Sequence, residues 1–280
     1  MPDQKVFLEI KIPRENEYTP ESAAVLFSGF TKILSPQSIL DRILDRQSQS
    51  LILEIACFQQ QIRFYAVLSE SFLPYFESQI LAAYPLAILN RLPDYLESWQ
   101  ATRLHFGQMV QATSFYYPIK TYKDFTDIDP LNSILAIMSK ATEDDKLLIQ
   151  FIFQKTPGGW QRGVQKAITK GIKISETERQ PLPGENLIKQ KIEEEGLKVG
   201  IRVVASSESL LKALIGGFAA FTRGDGNALV FQKPNLFAKG KLKQAILTHQ
   251  PGFTPRFQIF SVSELATLFH LPGVTTKIPN

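Results

Sequence analysis

The hydrophobic positions fall into two rhythms that alternate along the chain. Val6 to Ile12 alternates apolar and polar residues at its C-terminal end and predicts a strand. Thr19-Pro20-Glu21 then opens a helix, with Thr19 as N-cap, Pro20 at the first helical position and an acid in the first turn. Ala23, Leu26, Phe27, Phe30 and Ile33 make its apolar face, and Ser35-Pro36 closes it. Ile39-Leu40 and Ile43-Leu44 suggest a further short helix. Leu51 to Phe58 and Ile62 to Leu68 read as a hairpin around Gln59-Gln60-Gln61. Ser69 caps a helix carrying Phe72, Phe76, Ile80 and Leu81, and Ala87 to Leu92 is another strand.

The order repeats. Leu104 to Tyr117 predicts a long or bent strand, and Asp129-Pro130 a second cap-plus-proline helix start with Leu131, Ile134, Leu135 and Met138 facing inward. Lys146 to Gln154 is nearly all apolar, as expected of a strand covered on both faces. Leu197 to Ala205 is a strand, Ser206-Ser207 starts a helix, and Asn227 to Gln232 is a strand. Tyr65 to Leu73 echoes Val203 to Leu211 at an offset of 138 residues, both as strand, serine, acid, helix. The expected fold is α+β, two tandem ferredoxin-like (βαββαβ) units. The first covers residues 1–100 and the second residues 101–257. A helical insertion at about 156–196 interrupts the second where a hairpin turn belongs. Pro234 to Arg256 looks irregular, with a short helix around Leu242 to Leu247.

Residues 258–280 read as a capped helix and a linker. Ser261 and Glu264 have the spacing of a capping box, Leu265, Leu268 and Phe269 share a helical face, and Pro272-Gly273 stop it. Thr275 to Asn280 is extended and polar, like a linker cut off.

Composition adds a large core and a charge asymmetry. Of 280 residues 44% are hydrophobic and 20 are Phe, so the chain is globular. The net charge of +4 hides 13 Lys/Arg against 18 Asp/Glu in residues 1–154, and 17 against 8 in residues 155–257. The insertion holds Lys155, Arg162, Lys166, Lys170, Lys173, Arg179, Lys189 and Lys191; Lys239, Lys241 and Lys243 follow. Such a block attracts phosphates or an acidic partner. The residues marked for nucleic-acid or partner contact are Arg162, Lys166, Lys170, Lys173, Lys239, Lys241 and Lys243.

Candidate chemistry is sparse. No Gly-x-x-x-x-Gly-Lys-Ser/Thr loop is present to cradle phosphates, and Arg223-Gly-Asp-Gly-Asn227 reads as a turn. His105, His249 and His270 are far apart, without Cys or acidic partners at ligand spacing, so no metal, cofactor or catalytic set is expected. His270 suits a capping or packing role at a helix C-terminus. Glu143-Asp144-Asp145 and Glu193-Glu194-Glu195 read as solvated acids. Cys57 reads as a buried small hydrophobe, and Phe64 and Tyr65 as packing residues rather than an RNA platform. No apolar run approaches the ~20 residues of a membrane helix, and no signal peptide is evident.

The run Ser-Glu-Leu-Ala-Thr-Leu-Phe-His-Leu-Pro (263–272) resembles a segment of bacterial DNA-transfer ATPases, the helicase-like or coupling-protein-like motors of type IV secretion and conjugation systems. There it closes a non-catalytic N-terminal region just before the motor. Glu54-Ile55 with Ile62-Arg-Phe-Tyr65, Glu77 to Pro85, Asp129-Pro-Leu131, Ile149-Gln-Phe-Ile152 and Gly200 to Ala205 look like other parts of those regions. The resemblance implies a non-catalytic scaffold module. Its partners would be a motor ATPase domain in cis or in trans, other secretion components, DNA and further copies of the chain. It would be cytoplasmic, at the inner face of the membrane only indirectly, through partners. The other reading is a stand-alone nucleic-acid-binding module using the basic 155–257 region.

Overall fold

A computed structural model describes residues 4–13, 15–34, 51–126, 128–154, 156–175, 178–251, 258–273 and 276. The helix expected over Ile39 to Leu44 and most of the terminal linker lie outside the described residues.

The fold is α+β, with eight α-helices among the described residues and an antiparallel main sheet. Residues 5–91 give β1 (Lys5–Lys11), α1 (Pro20–Leu34), β2 (Leu51–Phe58), β3 (Gln61–Ser69), α2 (Leu73–Ala83) and β4 (Ile88–Arg91). Residues 105–232 give β5 (His105–Gln111), α3 (Asn132–Met138), β6 (Lys146–Gln154), β9 (Gly196–Ala205), α6 (Glu208–Gly217) and β10 (Leu229–Gln232). Between β6 and β9 come α4 (Trp160–Lys170), the small hairpin β7 (Ile172–Lys173) and β8 (Arg179–Gln180), and α5 (Glu185–Glu193). Then follow α7 (Leu236–Leu247), β11 (Ile259–Ser261) and α8 (Val262–Leu268).

The strands run β10-β5-β9-β6-β2-β3-β1-β4, with β11 pairing the start of β9. Each half thus sets its strands in one chain order, fourth, first, third, second. The halves meet where β2 pairs β6, from Leu51 opposite Phe153 to Phe58 opposite Lys146. That junction explains the two apolar runs: β2 and β6 lie mid-sheet with helices on one face and α7 on the other, so neither needs a polar side. One hydrophobic cluster crosses the joint. Phe27 stacks on Phe153 at 5.5 Å, and Phe269 meets Phe151 and Phe64 edge-on at 5.7 and 5.9 Å.

Four local expectations need correction. The strand from Leu104 stops at Gln111, and Phe115, Tyr116 and Tyr117 instead form an aromatic seat under the insertion. Leu81 is exposed, because the helix turns it away from the sheet. Asp129 does not start α3 directly; its Oδ1 accepts the Leu131 N–H at 2.8 Å, one turn before the helix begins at Asn132. The supposedly irregular stretch after Pro234 is a twelve-residue helix, α7, capped by Asn235 accepting the Ala238 N–H at 2.8 Å. Its buried residues Ala238, Leu242, Ala245 and Ile246 carry a helical spacing that three lysines and Gly240 obscure.

Cys57 is buried and its thiol donates to the Met138 carbonyl at 3.2 Å; burial, helped by Asp145, pushes its pKa up to about 11.

Candidate functional site

The basic residues divide among α4, the small hairpin that follows it and α7. In α4, Val164 and Ile168 bury one face against Ile188 of α5. The opposite face presents Arg162, Lys166 and Lys170, at i, i+4 and i+8, all exposed. No acid interrupts α4, and Gly163 leaves open space between the cations. Gly171, at φ +62°, ends the helix, and the Arg179 guanidinium donates to the Lys170 carbonyl at 2.9 Å. In the hairpin Lys173 and Arg179 are directly opposite each other.

Lys239, Lys241 and Lys243 sit apart from this stripe. They lie on α7, whose Leu242 and Ile246 pack on the other face of the sheet, in a cluster containing no described residue of the insertion. Lys239 and Lys241 are exposed and Lys243 is half-buried. Lys155 lies outside the described residues.

Two lysines counted in the insertion do not add free charge to this stripe, Lys189 because it is paired and Lys191 because it is buried. Lys189 pairs with Glu185 one helical turn away at 2.6 Å. Lys191 is fully buried, donating to the Phe115 carbonyl at 2.6 Å and facing Glu264 at 2.9 Å. Burial pulls its pKa below the usual lysine range, against the pull of Glu264 and Glu194. Glu264 also closes the expected capping box, accepting the Ser261 N–H at 2.7 Å, and it takes the Ile119 N–H at 2.8 Å. The acids at the end of α5 are not simply solvated either. Glu193 is exposed, but Glu194 accepts from the Ser263 N–H and hydroxyl at 3.0 and 2.7 Å, and Glu195 accepts from Thr31 at 2.5 Å and pairs with Lys32. The insertion is therefore tied to α8 at its base. All seven residues of α8 are buried, not one face alone.

A groove of about 400 Å³ follows this base, lined in part by Pro118, Lys123, Leu187, Lys191, Glu194 and Arg223. Its cations are met by neighbouring acids: Lys123 by Glu194 at 3.6 Å, and Arg223 by Asp124 and Asp225 at 3.1 and 3.0 Å.

Two of the three histidines do have acidic partners, brought by tertiary structure rather than by spacing. His270 Nε2 lies 2.9 Å from Asp129 Oδ1 and its Nδ1 lies 2.8 Å from the Ala266 carbonyl. Burial raises the Asp129 carboxyl, but hydrogen bonds from His270, Thr276 and the Leu131 N–H outweigh it and leave the pKa below the usual range. His249 sits 3.3 Å from Glu54 and 3.4 Å from Asp94, close enough for ion pairing but not aligned as hydrogen bonds. Burial lowers its pKa and the two carboxylates more than reverse this, to about 9.

Glu54 belongs to a row that the sheet register assembles: Tyr65, Glu54, Gln150, Arg202 and Gln108 lie side by side on β3, β2, β6, β9 and β5. Glu54 accepts from Tyr95 at 2.8 Å and Gln150 at 2.7 Å, while Arg202 donates to the Ala245 and Gln250 carbonyls at 3.1 and 2.9 Å. The row thus clamps the C-terminal end of α7, where free carbonyls favour a cation. The signal was a lone polar residue inside the apolar stretches of β2 and β6, Glu54 and Gln150. Tyr65 stacks on Tyr95 at 4.4 Å and Phe64 is in the core, so neither ring is open to a base.

The chain belongs to a domain family of unknown function, DUF8128, whose profile matches residues 2–280. The family thus spans both halves, the insertion and α8 as one unit of sequence. No curated protein matches the chain significantly. Among the described residues no three or more His, Cys, Asp or Glu side chains gather as a metal site requires, and no helix is long and apolar enough to cross a membrane.

Proposed function

We propose that the chain is a non-catalytic assembly module of a DNA-transfer ATPase of the type IV secretion and conjugation kind, with the basic insertion as its DNA-facing surface. Each half is then a ferredoxin-like unit, a reading supported by the shared strand order of fourth, first, third, second. The observation that carries the proposal is the buried Lys191–Glu264 pair. It fixes the insertion to the segment that resembles the junction before a motor, so force or position at one is felt at the other. The closed state of the Glu54–His249 pair suits a non-catalytic role, because neither side chain has exposed surface.

The test is genetic and biochemical. A P-loop ATPase should be encoded within about 150 residues past Asn280, about one domain length, or in a neighbouring gene. That ATPase should co-purify with the chain, and Glu264→Gln should weaken the response of its hydrolysis rate to DNA. A closed reading frame with no motor gene beside it, or an ATPase that does not bind the chain, contradicts the proposal.

The exposed Arg162, Lys166 and Lys170 face favours a second reading, a stand-alone nucleic-acid-binding module. It shares the DNA surface and dispenses with the motor, so DNA binding without an ATPase partner would select it.

A further inference from the structure

The N-terminal tip of α7 carries the two most exposed large apolar side chains among the described residues. Leu236 is 84% and Phe237 89% exposed, and they are adjacent. Isolated apolar residues are ordinary on a protein surface. This pair is not isolated in character. At 100° per residue, Leu236 and Phe237 share the outward face of α7 with Gly240 and Gln244, while Lys239, Lys241 and Lys243 border that face on both sides. A Cβ on Gly240 would meet nothing within 4 Å, so the outward face is open there. The sequence from 226 to 263 contains no Asp or Glu.

The tip is also held rigidly. Asn235 caps the first turn, Leu242 and Ile246 bury the inner face, and Arg202 grips the carbonyls of Ala245 and Gln250 at the far end. Ordering is thus largely complete before any partner arrives.

We propose that this tip docks on an anionic lipid surface, with Leu236 and Phe237 entering the headgroup–acyl boundary and the bordering lysines facing lipid phosphates. Apolar wedges with flanking lysines suit that interface, where the apolar groups gain burial and the ammonium groups stay at the charged layer. Nucleic acid fits less well: the lysines could meet phosphates and Phe237 could stack on a base, but aliphatic Leu236 would gain nothing from stacking. The inference is independent of the motor and of the insertion. It makes membrane contact direct rather than relayed by partners.

The test is co-sedimentation of the whole chain with vesicles of phosphatidylcholine alone or with about one-third phosphatidylglycerol. Binding to the anionic vesicles is expected, with little to the neutral ones. Leu236→Ser/Phe237→Ser should cut it about tenfold or more, and Lys239→Gln/Lys241→Gln should cut it and its salt sensitivity. Because the substituted side chains are exposed, melting temperatures should match the parent. Phe237→Trp should show blue-shifted emission with the anionic vesicles. The proposal is overturned if the parent ignores anionic vesicles at low salt, if the serine variant binds undiminished, or if the emission of the Phe237→Trp variant stays unshifted. It is equally overturned if the serine substitutions abolish binding of a single-stranded oligonucleotide while vesicles are not bound.

Discussion

The Lys191 ammonium lies 2.9 Å from a Glu264 carboxylate oxygen, and neither side chain has any exposed surface. Lys191 comes from the second helix of the insertion and Glu264 from the capping box of α8, 73 residues apart. Desolvating both charges is costly, so the pair adds less net stability than its geometry suggests. Removing one partner is different, because it strands the other. Lys191→Met should lower unfolding stability by about 3–5 kcal/mol, read from urea melts. Adding Glu264→Gln should recover part of that loss, since no buried charge then remains unpaired. Strictly additive losses in the double variant would mean that the two side chains do not interact.

The His249 cluster predicts a pH dependence with a definite sign. Its pKa rises from the ordinary 6.5 to about 9 in the fold, because Glu54 and Asp94 outweigh burial. A raised folded-state pKa means that the stabilisation is complete below about pH 6.5 and is lost as pH climbs through about 9. The full amount is about 3 kcal/mol. His249→Gln should remove this alkaline decline and leave a flatter profile. A parent profile that is flat from about pH 6 to pH 9.5 would contradict the charge assignment.

The hairpin between β2 and β3 turns on Gln59 and Gln60, with φ of +51° and +56°. Two consecutive left-handed residues make the tight turn that Asn-Gly adopts without strain. Gln60→Gly should therefore stabilise the chain by about 1 kcal/mol, seen as a higher urea midpoint with an unchanged slope. A loss of stability would mean that the turn has another geometry.

Much of the fold was readable because local rules and tertiary demands agree. The Thr19-Pro20 start, the nearly all-apolar β2 and β6 and the Ser261–Glu264 box each appear where the pattern puts them. The paired echo around Ser69 and Ser207 marks two strand-to-helix joints, although only Ser207 makes the capping bond, to Leu210 at 3.3 Å. What escaped the sequence is long-range pairing of polar groups. Glu194 looks solvated until Ser263 arrives beside it, and His249 looks partnerless until β2 supplies Glu54. Charge counting failed for the same reason: Lys191 adds to the formal charge of the insertion but nothing to its surface. The exposed α4 cations were legible as a charge run, whereas their separation from the α7 lysines follows from the two helices packing in different hydrophobic clusters.

The most direct test of the DNA-facing insertion is duplex binding by fluorescence anisotropy over a salt series. Each phosphate contact contributes about 0.9 to the slope of log affinity against log salt. Neutralising Lys166, Lys170 and Lys173 to Gln should therefore weaken binding at low salt and flatten the slope by about 2–3. Lys239→Gln/Lys241→Gln should leave the duplex slope unchanged. No duplex binding by the parent at low salt, or a slope that survives the triple substitution, would contradict the account.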